Sequence, residues 1–234
     1  MIVSCWNAQW HPSSTRKGAR IIERLLRDDP EIVCCPEAFD DFLPEGWHGL
    51  FSEPDYGYPI MPGRHKVTLW SRTGWSDVDC VGSSRLPGGR FVAGTTATST
   101  GVVRVIGVCI PWKDAHVRTG NRNRQPWEDH ASYLNGLRSV VAAVPDIPTL
   151  IIGDFNQRLP RRRSPVELYS QLTATLEQFD IWTTGAVPGL EHPPVCHIGG
   201  SKHFSLARMY GYPKVFDGLT ISDHDGLAVD IEAA

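Results

Sequence analysis

The chain has 234 residues, a length that one layered α/β domain can accommodate. Hydrophobic residues make up 41% of the composition and charged residues 21%, which excludes a disordered or low-complexity chain. The formal net charge of −3 argues against a protein that coats nucleic acid over its whole surface. We therefore expect a single domain that spans residues 1–234.

The sequence predicts neither export nor insertion into a membrane. Charged or proline residues interrupt every apolar segment before it reaches the ~20 residues that cross a bilayer. The apolar run 1–6 has no basic segment before it and no small-residue cleavage site after it, so we expect no secretory signal. The six cysteines lie in strand-like segments and are expected to be reduced, buried thiols. These features predict a cytoplasmic protein that does not bind membranes.

The opening part of the chain predicts a strand, a helix and a second strand. Both strands are short apolar runs, 2–6 and 32–35, and between them Ser13 or Ser14 can cap the helix. The polar residues that follow the two strands are Asn7 and Glu37.

The remaining segments predict a mixed α/β layered domain. Between residues 67 and 110 short strand-like runs alternate with glycine- and serine-rich turns, which is typical of antiparallel sheet. A helical pattern covers 127–141, a buried strand follows at 149–152, and Ser164-Pro165 begins another helix. A last strand is predicted at 227–231.

Two polar segments at strand ends carry the strongest chemical signals. Asp154 and Asn156 follow a buried strand and, because side chains alternate along a strand, they face the same side. Asp223 and His224 place a carboxylate beside an imidazole, which suits acid/base and metal chemistry. A turn or a solvated loop would account for either segment alone. The prediction of a site therefore depends on both segments together with Asn7 and Glu37.

Four short blocks, in this order along the chain, resemble the endonuclease/exonuclease/phosphatase superfamily over nearly the whole length. The blocks are Ser4-Cys5-Trp6-Asn7, Val33-Cys34-Cys35-Pro36-Glu37, Gly153-Asp154-Phe155-Asn156 and Ser222-Asp223-His224. The resemblance implies an α/β fold of four layers, α/β/β/α, in which two mostly antiparallel sheets pack face to face between outer helices. It also implies a Mg²⁺ ion, replaceable by Mn²⁺, with Glu37 as the principal ligand assisted by Asn7 and Asp223.

The resemblance also implies a role for each catalytic residue. The metal would polarise the scissile phosphate, and Asp154 would orient and deprotonate the attacking water. Asn156 would hold a phosphoryl oxygen. His224 would donate to another non-bridging oxygen or act as an acid/base, and both roles stay open.

Two cysteines depart from the pattern of the family. Cys109 stands where many relatives carry a Tyr or His that contacts the phosphate, and cysteine is a poor donor. Cys196 stands where an Asp normally orients the catalytic histidine. The histidines that could supply the missing phosphate contact are His116, His130 and His197.

Basic residues concentrate between residues 111 and 163, which hold nine Lys/Arg and five Asp/Glu. Arginine forks suit phosphate oxygens and tryptophan can stack on a base, so this region predicts phosphate recognition. The predicted substrate-binding residues are Arg118, Arg122, Arg124, Trp127, Arg158 and Arg161. Specificity is expected from three loops on the scaffold, 39–65, 111–125 and 185–214.

The leading functional hypothesis is a metal-dependent nuclease, of endonuclease type, that acts on DNA or RNA. The first alternative is a phosphatase or phosphodiesterase that acts on a small phosphorylated molecule. The second is a nucleic-acid-binding module that has lost turnover, suggested by Cys109 and Cys196. A zinc site is a weaker alternative because its spacing matches no zinc pattern; its ligands would be His192, Cys196, His197 and His203. The sequence does not predict the oligomeric state.

Overall fold

The computed structural model describes all 234 residues and contains three helices and fourteen strands. The helices are α1 (Arg16–Leu25), α2 (Glu128–Ala142) and α3 (Val166–Thr175). The strands are β1 (Ile2–Cys5), β2 (Ile32–Phe39), β3 (His48–Phe51), β4 (Arg64–Ser71), β5 (Trp75–Asp79), β6 (Phe91–Thr98), β7 (Gly101–Cys109), β8 (Thr149–Asp154), β9 (Asp180–Ile181), β10 (Cys196–Gly200), β11 (Phe204–Tyr212), β12 (Val215–Phe216), β13 (Leu219–Thr220) and β14 (Gly226–Ala233).

Twelve of these strands form two six-stranded sheets. The first sheet has the order β11-β14-β1-β2-β4-β3, the second has the order β5-β6-β7-β8-β10-β9, and β12 and β13 form a separate hairpin. Each sheet contains one parallel pair, β1 with β2 and β7 with β8, whereas the other neighbours are antiparallel. The prediction of two mostly antiparallel sheets is confirmed.

The hydrophobic core lies in three layers that follow the alternation of each strand. Inward-facing residues of both sheets, such as Val3, Val105 and Ile152, form a cluster of 20 buried residues between the sheets. The outer face of the second sheet packs against α2 and α3, and that of the first sheet packs against α1. The four-layer α/β/β/α sandwich is therefore confirmed.

Helix α1 begins later than the sequence suggested. Thr15, in extended conformation, is the N-cap, and its hydroxyl oxygen accepts a hydrogen bond from the Gly18 N–H at 3.1 Å. Ser13 and Ser14 instead lie in a turn that the Thr15 N–H closes onto the Pro12 carbonyl oxygen. The prediction of a cap at Ser13 or Ser14 is wrong, because both residues belong to this turn and the helix begins only after Thr15.

The segment 185–214, predicted as a specificity loop, contains the whole of β10 and β11. Strand β10 is buried and pairs antiparallel with β8, which places Cys196 opposite Asp154. The sequence did not reveal these two strands, because their apolar residues are isolated and the strands that pair with them are distant in sequence. All six cysteines are unpaired, and five are buried as expected, whereas Cys80 is only half-buried. None of the three helices has the length and apolar character needed to cross a bilayer.

Candidate active site

Asp154 occupies the last position of β8, in the middle of the second sheet. Its neighbours across the sheet are Cys109 of β7 and Cys196 of β10. Because Ile152 faces the core between the sheets, alternation directs the Asp154 side chain into the same space. The preceding Gly153 has a φ of 142°, and a Cβ there would lie 1.9 Å from the Val108 carbonyl oxygen. Only glycine allows β8 to approach β7 this closely, so the glycine of the block fixes where the carboxylate emerges.

Hydrogen bonds from both sides hold the Asp154 carboxylate. Oδ1 accepts from the Asn156 N–H at 2.9 Å, and Oδ2 accepts from the Asn7 side-chain amide at 3.1 Å. Asn7 follows β1 of the first sheet, so this contact joins the two sheets. Asp154 is 2% exposed, and burial raises its pKa. A carboxylate that is fixed in place and has a raised pKa is suited to accept a proton from water.

His224 lies beside this carboxylate. Its Nδ1 is 3.7 Å from Asp154 Oδ2 and 3.4 Å from Cys196 Sγ, and the Trp6 indole N–H donates to its carbonyl oxygen at 2.8 Å. Burial lowers the pKa of His224, but the Asp154 charge, followed by Cys196 and Asp223, raises it to about 10. The ring is consequently protonated near neutral pH and can donate a hydrogen bond to a phosphate oxygen.

Cys196 takes the position where the family pattern expects an orienting carboxylate. A hydrogen bond with Cys5 and burial raise the pKa of Cys196 well above its ordinary value. The side chain is therefore a neutral thiol, and it interacts only weakly with the imidazole. Asp154 supplies the negative charge that stabilises the His224 imidazolium.

Glu37 carries its carboxylate on a strained backbone, with a φ of 54°. Lys66 of β4 lies directly opposite, and its Nζ is 2.5 Å from Glu37 Oε1. The sequence did not single out Lys66. The contact with the Lys66 ammonium group shows that the Glu37 carboxylate can bind a cation at this point of the cleft.

The other predicted metal ligands are placed differently. The Asn7 side-chain oxygen accepts from the Gln9 N–H at 2.9 Å and keeps a second lone pair. The Asp223 carboxylate is exposed, with Oδ1 3.8 Å from His224 Nε2. Together with Glu37 these groups offer two carboxylates and an amide oxygen, a donor set that fits a hard cation such as Mg²⁺.

A second cluster of possible metal ligands consists of Asp154, Cys196 and His224, whose ligand atoms lie within 4.8 Å of one another. It fits a metal poorly because the thiol and the imidazole would both be protonated. The four predicted zinc ligands do not gather. His192 is exposed, His203 contacts Asp146, and Cys196 and His197 are consecutive residues of β10 that face opposite sides of the sheet.

The predicted substrate-binding residues fall into three groups. Arg158 borders the cleft at His224, together with Lys214. Arg118 and Arg122 are exposed in the segment between β7 and α2, which contains no helix or strand, and neither forms an ion pair. The remaining three make local contacts: Arg124 with Glu128 and Asp129, Arg161 with the Ser164 carbonyl oxygen, and Trp127 with His130.

None of the three candidate histidines presents a free nitrogen to the cleft. His130 Nδ1 donates to the Pro111 carbonyl oxygen, and its Nε2 accepts from Gln157. His197 Nε2 donates to the Gln157 carbonyl oxygen, its Nδ1 contacts the Thr183 hydroxyl, and burial lowers the pKa of the His130 and His197 rings to about 4. His116 binds Asp129 through Nδ1, while its Nε2 is enclosed against Gly57.

This order of layers, with polar residues at the ends of the central strands, is the fold of the endonuclease/exonuclease/phosphatase superfamily, as the four sequence blocks predicted. No protein-family model and no curated protein sequence matches the chain.

Several solved structures share the fold. A 3'-5' exonuclease from Neisseria meningitidis is 17% identical, with a TM-score of 0.71 over 99% of this chain and 100% of that one. A second structure of this Neisseria protein, there named a 3' phosphatase and bound to a product DNA hairpin, is 18% identical, with a TM-score of 0.71 over 99% of both chains. The catalytic domain of human nocturnin, with a bound sulfate, is 17% identical, with a TM-score of 0.65 over 100% of this chain and 94% of that one. At such identities the likeness concerns the fold.

Proposed function

We propose that residues 1–234 form one catalytic domain that hydrolyses phosphodiester bonds in DNA or RNA, as a Mg²⁺-dependent endonuclease. The observation that carries the proposal is the Asp154 carboxylate, held by Asn7 and Asn156 and facing the His224 imidazole at 3.7 Å. A base and a cationic donor at this separation suit attack of water on a phosphate.

The cation would be held by Glu37, with Asn7 and Asp223, and Mn²⁺ could replace Mg²⁺. When bound, the ion supplies polarisation of the phosphate and neutralisation of the leaving oxygen. Asp154 accepts the proton of the attacking water, for which its raised pKa suits it. His224 donates to a non-bridging oxygen.

Asn156 has one free N–H for the phosphoryl group. Its side-chain amide already donates to the Ile110 carbonyl oxygen at 2.8 Å, which orients the second N–H of the amide. The φ of 52° at Asn156 lies in the left-handed region, which asparagine tolerates better than most residues. This geometry supports the role of Asn156 in holding a phosphoryl oxygen.

The choice of a polymer as substrate is supported by Arg118 and Arg122, two exposed and unpaired cations in the segment that follows β7. Solved structures of the same fold include a Neisseria protein that is named as a 3'-5' exonuclease in one structure and as a 3' phosphatase, bound to a product DNA hairpin, in another. The unpaired thiols suit a reducing compartment, and we propose a cytoplasmic location.

A phosphatase that acts on a small phosphorylated molecule is the second candidate. It is favoured by the cations Lys66, Arg90 and Arg158 in and around the cleft, because a terminal phosphate carries more charge than an internal diester. A module that binds without turnover is the third, since Cys109 and Cys196 replace expected groups.

One experiment separates the three candidates. Purified protein is incubated with Mg²⁺ or Mn²⁺ and with double- and single-stranded DNA, abasic and nicked DNA, RNA and small phosphoesters. EDTA and Asp154→Asn serve as controls. We expect cleavage of a polynucleotide at internal positions that both controls abolish. Release of inorganic phosphate from small esters alone would establish the phosphatase, and binding without any product would establish the binding module.

A further inference from the structure

The cleft lacks one expected donor to the phosphate. Burial raises the pKa of the Cys109 thiol to about 12, against the opposing charges of Lys66 and Arg90. A neutral, buried thiol is a weak donor. The nearby histidines do not replace it, since their nitrogens are bonded or enclosed. Some other group must bind the phosphoryl oxygen beside Asp154.

Arg90 lies directly opposite Cys109, one residue before β6 begins. The Cys109 N–H donates to the Arg90 carbonyl oxygen at 3.0 Å, which extends the β6–β7 pairing beyond Phe91 and Val108. Opposite residues of an antiparallel pair point to the same face. Cys109 faces the space between the sheets, so the Arg90 side chain enters this space as well. Arg90, Cys109, Asp154 and Cys196 thus form one row across four strands.

The guanidinium of Arg90 has no counter-ion in the chain. The residue is 2% exposed, and its Nη2 is buried without an acceptor. No carboxylate pairs with it, although Lys66, its neighbouring cation, is paired with Glu37. The cost of burying an unpaired charge amounts to several kcal/mol in a protein interior. A buried cation without a partner therefore indicates an anionic ligand from outside the chain.

The Tyr56 ring connects this cation to the rest of the site. Arg90 Cζ lies 6.0 Å from the ring centre, and Lys66 Nζ lies 5.2 Å from the same centre. Arg90 is thus separated from the Lys66–Glu37 pair by the Tyr56 ring, and from Asp154 by the strand that carries Cys109. An anion bound by Arg90 would therefore lie on the side of the cleft that holds both Asp154 and the Lys66–Glu37 pair.

We propose that Arg90 binds a non-bridging oxygen of the phosphoryl group, in place of the donor that is absent at Cys109. The assignment rests on the proposed function and names the phosphate-binding residue of that same site. The guanidinium fork donates to the oxyanion, and the phosphate supplies the missing counter-charge. The Arg90 charge is therefore unpaired only in the free protein, and bound substrate compensates it.

Binding of inorganic phosphate to the full chain in EDTA tests this assignment without turnover. The variants are Arg90→Met, which removes the charge, and Arg90→Lys, which keeps it, with Arg138→Gln on the exposed face of α2 as matched control. We expect phosphate to raise the melting temperature of the wild type and of Arg138→Gln, to raise that of Arg90→Lys less, and to leave Arg90→Met unchanged. Without phosphate, Arg90→Met should unfold at the wild-type temperature or above, because an unpaired buried charge is gone.

Three results of this experiment would overturn the assignment. One is a phosphate response of Arg90→Met equal to that of the wild type, and another is a wild-type protein that does not respond to phosphate. A lower melting temperature for both Arg90 variants with an unchanged phosphate response would show a structural role, which also overturns it.

The catalytic measurement keeps the two proposals distinguishable. For a hydrolysed substrate, Arg90→Met should lower kcat/KM about 10²-fold, the loss typical when one donor to a developing oxyanion is removed. If no substrate is hydrolysed but Arg90→Met loses phosphate binding, the proposed function fails and the Arg90 assignment stands. If hydrolysis occurs at the wild-type rate in Arg90→Met, the function stands and the assignment fails.

Discussion

Lys66 Nζ and Glu37 Oε1 lie 2.5 Å apart, on opposite residues of β4 and β2. The pair is mostly buried, with side-chain exposures of 11% and 21%. The expected principal ligand of the metal is therefore already neutralised by a residue of the chain. A divalent cation that binds Glu37 must share this carboxylate with an ammonium group or displace it.

Removal of the Lys66 charge should tighten metal binding. We expect Lys66→Gln to lower the Mg²⁺ dissociation constant at least about tenfold, because a positive charge within a few Å of the ligand opposes a divalent ion. Calorimetric titration with Mg²⁺ in the absence of substrate measures this. Lys202→Gln, which removes an exposed pair with Asp146, should bind Mg²⁺ as the wild type does. An affinity that is unchanged or weaker in Lys66→Gln would show that the lysine does not compete with the metal.

Asp154→Asn should separate activity from stability. We expect turnover to fall about 10³-fold, within the range of losses seen for a general base. The free energy of unfolding should stay the same or rise, because the carboxylate is buried at a cost that raises its pKa. The pKa of His224, measured by NMR, should fall towards its ordinary value since its main negative neighbour is gone. Asp146→Asn, on the surface, is the control, and wild-type turnover in Asp154→Asn would contradict the assigned role.

The sequence placed Asn7 and Asp154 correctly at strand ends, but Glu37 lies inside β2, which continues beyond the predicted 32–35 to Phe39. The partners of the charged residues depend on contacts that are distant in sequence. Asn7, Glu37 and Asp154 follow apolar runs, so their positions at one edge of the sandwich follow from local pattern and block order. Lys66 and Arg90 reach the site only because cross-strand register sets them opposite Glu37 and Cys109. Lys66 and Glu37 are 29 residues apart, and Arg90 and Cys109 lie at the open end of the β6–β7 hairpin, so no pattern of neighbouring residues reports either contact.

The contacts of the basic residues between 111 and 163 were also not predictable from the sequence. Arg124 was predicted to bind substrate, but its guanidinium contacts Asp129 at 2.8 Å and Glu128 at 3.1 Å. Arg161 donates to the carbonyl oxygen of Ser164 within its own turn. The geometry of the loops determines the partners of Arg124 and Arg161, and the spacing of charges in the sequence does not reveal this geometry. Arg158, by contrast, lies beside His224.

Gly153 should be the least replaceable glycine of the site. In Gly153→Ala the new Cβ would meet the Val108 carbonyl oxygen at 1.9 Å, so β8 would have to move away from β7. Gly101→Ala is the matched control, because Gly101 also has a positive φ, 110°, but open space around its Cβ position. We expect Gly101→Ala to lower the free energy of unfolding by about 1 to 2 kcal/mol through backbone strain, and Gly153→Ala by about 2 kcal/mol more through the clash. Urea denaturation measures both, and equal losses would show that β8 relaxes freely.

His197 should make the stability of the fold depend on pH. Burial lowers its pKa to about 4 from an ordinary value of 6.5, so the folded protein stays neutral at this ring while the unfolded chain takes up a proton below pH 6.5. The contribution of the neutral ring to the free energy of unfolding is complete above pH 6.5. It is lost as the pH falls towards 4, and the loss reaches about 3 kcal/mol. Urea denaturation at pH 7 and pH 4 should show a decline that is smaller by about this amount in His197→Gln than in the wild type. His48→Gln, at an exposed position, should retain the wild-type profile. A wild-type decline in His197→Gln would mean that the ring titrates alike in the folded and unfolded chain.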